Sequence, residues 1–100
     1  MVESKEILET LRVVEDPEMG ISIVDLGLIY RAEELEDAIE VEFTLTYPGC
    51  PVADQIREEI AARLFECFPA NKVRIALVWK PIWGPEMMSE DVRLELGYPI

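Results

Sequence analysis

One hundred residues carry nine Lys and Arg against 21 Asp and Glu, a formal net charge of -12. That balance repels phosphate backbones, so DNA and RNA are excluded as expected ligands and a partner with a basic surface is favoured. The length suits one domain over 1–100 and is too short for two, and with half of the residues hydrophobic it can build one core.

The first predicted element is a helix. Ser4 is placed to cap it, Ile7, Leu8, Leu11 and Val14 share one face, and Pro17 is expected to stop it. The stretch GISIVDLGLIYRAEE is rich in β-branched and large apolar residues and reads as a strand with an irregular start. Gly27 there marks a bulge or a close approach of backbone. A second strand, AIEVEFTLT, alternates: Ile39, Val41, Phe43 and Leu45 inward, Glu40, Glu42, Thr44 and Thr46 outward. The two strands are expected to pair as an antiparallel hairpin.

Pro51 to Phe68 is the strongest helix, with Val52, Ile56, Ile60, Leu64 and Phe68 stepping by four along one stripe. A third strand, NKVRIALVWK, puts Val73, Ile75, Leu77 and Trp79 on one face, which makes Trp79 a core residue and leaves Trp83 to loop packing. Ser89 caps a last short helix, EDVRLEL, and Gly97 closes it. The order helix–strand–strand–helix–strand–short helix gives an α+β fold, a two-layer α/β sandwich with helices on one face of a small sheet. A parallel pairing of the second and third strands would require a right-handed crossover; the strand order does not follow from the pattern.

No run of about 18 apolar residues marks a membrane span, and the opening MVESKEILET lacks the apolar stretch of a secretory signal. The expectation is a cytoplasmic protein that binds no membrane and keeps its two cysteines reduced. Cys50 stands in TYPGCP, directly before the long helix. With Pro51 at the first helical position, where its missing N–H costs nothing, Cys50 becomes the cap. Free N–H groups and the helix dipole there favour a thiolate, and Asp54 one turn on opposes it. A small cysteine filling a tight turn explains the same residue without chemistry. Cys67, beside Phe65 and Phe68, reads as core or helix-edge packing.

Asp16 and Glu18 flank Pro17 in EDPEMG, either as solvated acids after a stopped helix or as functional carboxylates. Asp25 interrupts an apolar run and is suited to bonding a turn; Tyr47 packs across its own turn. Without histidine there is no Ser-His-Asp or Cys-His pair, two cysteines fall short of a structural zinc site, and no glycine-rich phosphate loop occurs.

DPE (16–18), IVDLGLIY (23–30), TLTYPGCP (44–51) and VWKPIWGPEMMSEDVRLELG (78–97) occur in the order of a known family. The chain resembles the metal–sulfur cluster biosynthesis family, which includes SufT-like and PaaD-like proteins and the eukaryotic cytosolic iron–sulfur targeting factors. The resemblance covers nearly the whole chain. It implies the fold of the iron–sulfur cluster assembly domain and a non-enzymatic role in assembling or targeting clusters during iron–sulfur protein maturation. It further implies a functional cluster at Cys50, Asp16, Glu18 and Thr46, with Cys50 as transient metal ligand. The partners it implies are the assembly machinery and client apo-proteins. A second reading is a metal-free adaptor in assembling a metal-dependent oxygenase or another client complex. The cysteine-rich C-terminal part of the PaaD-like branch is missing here, which favours the general form. Clusters generally take four thiolates, and this chain offers at most two. Labile iron or a labile cluster is therefore expected and no tightly bound one. A homodimer contributing one Cys50 per chain would still need glutathione, carboxylates or a partner's thiols.

Overall fold

The computed structural model describes residues 2–49 and 51–97. Helix α1 (Ser4–Leu11) opens the chain, followed by a short pair of strands, β1 (Glu15–Asp16) and β2 (Ile21–Ser22). Strands β3 (Ile29–Leu35) and β4 (Ala38–Phe43) form the hairpin, helix α2 (Ala53–Cys67) crosses over, and strand β5 (Lys72–Leu77) follows. A 3-10 turn (Pro85–Met87) and helix α3 (Glu90–Leu96) complete the described chain.

The main sheet has the order β3-β4-β5, with β3 antiparallel and β5 parallel to β4. This is the α+β architecture of the sequence pattern, with β4 in the middle. Alternation decides its two faces. Ile39, Val41 and Phe43 are fully or almost fully buried, as are Ile7 and Leu11 of α1 and Ile56, Ile60 and Leu64 of α2, all in one core. On the other face Arg31 of β3 reaches Glu33, Glu40 and Glu42, and Arg74 of β5 reaches Glu40. A sheet with one apolar and one charged face needs helices on only one side.

The last segment is seated on the turn before β3. Trp83 Nε1 donates to the Leu26 carbonyl at 2.8 Å, and Ser89 N donates to the Asp25 carbonyl at 2.8 Å. Gly27 makes this fit possible: its φ is +76°, and a Cβ there would lie 2.1 Å from the Met87 carbonyl oxygen. The close approach expected of Gly27 is therefore to the C-terminal loop. The Ser89 hydroxyl accepts from Val92 N and Gly97 takes the left-handed conformation at φ 84°, so both caps of α3 are as read from the sequence.

Five expectations are corrected. Ser4 is the first helical residue and Glu3 occupies the cap without a side-chain bond. Helix α1 ends at Leu11, well before Pro17, because Val14 turns back onto the Leu11 carbonyl and Ile23 N bonds Val14 O; pairing with β2 outcompetes a further helical turn. Thr44 is 1% exposed instead of outward. Its N–H still bonds Leu28 O, and on its side of the sheet the loop at Lys80, Pro81 and Met87 lies over Ile29, Tyr30 and Glu42. Trp79 is 40% exposed instead of in the core, because β5 ends at Leu77 and only Val78 N continues the ladder to Phe43 O. Cys67 is exposed. Leu64 is the last fully buried residue of α2 and Phe68 only half-buried, so the helix's final turn overhangs the core.

Candidate functional site

The parallel strands β4 and β5 point their C-terminal ends the same way, and the motif residues gather there. Beyond β4 the chain bends through Thr46 and Tyr47 and turns at Pro48 and Gly49, the last in the left-handed conformation at φ 84°. Helix α2 then begins at Ala53, with Val52 in the capping position and its carbonyl accepting from Ile56 N at 2.9 Å. Pro51 belongs to the turn and does not open the helix, so the expected cap at Cys50 is not the helix's cap. Cys50 itself lies outside the described residues.

The acidic motif forms its own turn. Asp16 ends β1 and is 1% exposed. Its Oδ1 accepts from Glu18 N at 2.8 Å, and its carbonyl accepts from Met19 N at 3.1 Å and Gly20 N at 2.7 Å. A carboxylate bonding the backbone two residues on is an Asx turn, which explains an aspartate ahead of Pro17. Asp16 therefore shapes the turn, and Glu18 is carried outward on it, exposed.

Tyr47 brings the two turns together. Its hydroxyl stands 3.2 Å from Glu18 Oε1 and 3.4 Å from Oε2 and donates to that carboxylate. Residues 29 apart in sequence thus share one contact, and the side chain read as packing across its own turn reaches a different one. A lone tyrosine among prolines and glycines was the available signal; its partner was not. Thr46 is half-buried and faces a groove with Leu45, Tyr47, Pro48, Trp79, Lys80, Ile82 and Trp83, with a volume of about 440 Å³. Thr44 Oγ1, two residues earlier, is buried and has no hydrogen-bond partner among the described residues.

Asp25, expected at a turn, pairs with Arg12, and its side chain is about a third exposed. Among the described residues no three acids or thiols gather closely enough to hold a metal ion. Among the described residues no helix is long and apolar enough to cross a membrane.

A family model described as iron–sulfur cluster assembly protein matches residues 4–77, and the chain belongs to that family. It is 40% identical over 95 residues to an Fe–S protein maturation auxiliary factor of Porphyromonas gingivalis, across 94% of this chain and 90% of that protein. It is 37% identical over 86 residues to the Fe–S protein maturation auxiliary factor SufT of Staphylococcus aureus, across 85% of this chain and 98% of that one. The crystal structure of a domain of unknown function from Bacillus anthracis has the same fold, with a TM-score of 0.88 at 34% identity over 96% of this chain and 92% of the other.

Proposed function

We propose that this protein is a non-catalytic factor in iron–sulfur protein maturation, and that Cys50 contacts iron or a labile cluster in passing from the assembly machinery to apo-proteins. The observation that carries the reading is the Tyr47–Glu18 contact, which sets the acidic turn against the turn that leads to Cys50. Glu18 is the carboxylate that meets cargo; Asp16 is buried and holds Glu18 in place. Thr46 lines the approach. Family membership and relatives named as maturation auxiliary factors support this reading. With Cys67 on the far end of α2, one thiol per chain serves the site, so the donors for a complete cluster come from a second chain, glutathione or the partner. Such binding is labile, as a relay requires. The setting is the cytoplasm, where thiols stay reduced.

Cluster transfer tests it. A scaffold loaded with a two-iron cluster is mixed with an apo-ferredoxin, and the ferredoxin's circular dichroism is followed with and without this protein. Wild type and Cys67→Ser accelerate the transfer and Cys50→Ser does not. No acceleration by wild type, with retained binding of the ferredoxin, would favour the metal-free adaptor, a reading that the apolar groove beside the site also supports.

A further inference from the structure

The main sheet stops one strand short of covering its core. On β4 the inward residues Ile39, Val41 and Phe43 are fully or almost fully buried. Their partners in register on β5, Val73, Ile75 and Leu77, pack against the same core and are only half-buried. The backbone is open at the same residues. Lys72 N bonds the Asp37 carbonyl and Val78 N the Phe43 carbonyl, so the even-numbered residues of β5 turn their N–H and C=O groups toward β4. Val73, Ile75 and Leu77 turn theirs outward. Among the described residues the one hydrogen bond to this edge comes from Arg57 of α2, whose Nη1 lies 3.5 Å from the Ile75 carbonyl. An open edge of this kind is a template for a further strand.

Charge and pattern narrow the occupant. Lys72 and Arg74 stand exposed on the outer face of β5, and the strand carries no acid. Arg74 reaches Glu40 at 3.1 Å, whereas Lys72 forms no ion pair among the described residues. In a chain with a formal charge of -12, this is a basic strand at an open edge. A second copy would bring the same two cations and another formal charge of -12. We infer that the free edge of β5 takes up an extended segment of a partner protein in which apolar and acidic residues alternate. The backbone of that segment bonds Val73, Ile75 and Leu77. Its apolar side chains continue the inner face beside those residues, and its carboxylates stand beside Lys72 and Arg74 on the outer face. The added strand completes the cover that β5 leaves unfinished. None of Cys50, Asp16, Glu18 and Thr46 takes part, so docking at this edge stands or falls independently of cluster transfer.

Short capped, fluorescein-labelled peptides test it by anisotropy. A peptide alternating Val and Glu binds about threefold to tenfold more tightly than one alternating Val and Lys, the scale of two exposed charge pairs, and the difference shrinks in salt. Lys72→Glu removes the preference, since one cation and one anion then remain on the strand. N-methylation of alternate nitrogens of the Val–Glu peptide tests the backbone bonds. Methyl groups on one set of nitrogens abolish binding and on the other set leave it; loss with the Val set marks an antiparallel strand and loss with the Glu set a parallel one. Val73→Pro removes an outward N–H and no bond within the sheet. It weakens the Val–Glu peptide about threefold to tenfold, the scale of one backbone hydrogen bond, at an unchanged circular dichroism spectrum. Equal binding of the two unmethylated peptides, a like response to both sets of methyl groups, or no binding at all overturns the proposal. So does a dimer in sedimentation that Val73→Pro dissolves, which would assign the edge to a second copy.

Discussion

The two ends of β4 are built differently. Where β4 begins, the hairpin turn at Glu36 and Asp37 is closed from several sides. The Asp37 carbonyl accepts from Lys72 N at 3.0 Å and from Asn71 Nδ2 at 3.2 Å. Asn71 also reaches Glu34, which in turn accepts from Val2 N at 2.7 Å. Where β4 ends, the chain passes into an exposed bend beside an open groove, and a tyrosine reaches across to the acidic turn. One end fastens both edge strands and the N-terminus to the sheet. The other presents side chains. The lesson is one of division: one end of β4 is spent on joining strands to one another, and the other leaves an irregular bend whose side chains stay exposed.

Gly27→Ala strikes the open end hardest. The added Cβ collides with the Met87 carbonyl in a left-handed conformation, which unseats the segment carrying Trp83. A loss of about 2–4 kcal/mol is expected in urea unfolding. Asp16→Ala removes the acceptor that fixes Glu18 N, at about 1–2 kcal/mol, and slows cluster transfer more than its stability loss explains. Transfer at wild-type rate by a folded Asp16→Ala protein would separate the acidic turn from function.

At the closed end the expected effects are smaller and of both signs. Glu36 sits at φ 48°, where glycine is at ease, so Glu36→Gly raises stability by about 0.5–1 kcal/mol without touching transfer. The bonds from Val2 N and Asn71 hold the Glu34 carboxyl below its ordinary value of 4.5. A group depressed in the folded state stabilises fully above its unfolded value and loses that contribution as pH falls through the folded one. The urea midpoint of wild type should therefore drop from pH 5 downward by slightly more than that of Glu34→Gln; parallel curves would remove Glu34 from the closed end's account.

Local patterns made much of this legible. The alternation from Ile39 to Leu45 announced an inward face, the four-residue steps from Ile56 to Leu64 a helix covering it, and Ser89 and Gly97 the limits of α3. Each is a short-range rule that tertiary packing reinforced. The misreadings share one cause, in that distant chain decided them. β2 captured the residues that would have extended α1, and β5 stopped before Trp79. The loop at 80–87 lies on Thr44's side of the sheet, and α2 outran its core before Cys67. The motif residues themselves were visible as a resemblance, but the division between a buried Asp16 and an outward Glu18, and the Tyr47 contact, exist only in the fold.

The central claim is that one thiol of two, at the open end, handles iron. Its most direct test is anaerobic reconstitution of the purified protein with ferrous iron, sulfide and glutathione, followed by the absorption spectrum and bound iron for wild type, Cys50→Ser and Cys67→Ser. The account predicts sulfur-to-iron charge-transfer bands in wild type and Cys67→Ser that are lost in Cys50→Ser, with the bound iron falling in step. Bands that persist in Cys50→Ser, or that disappear in Cys67→Ser, would contradict it.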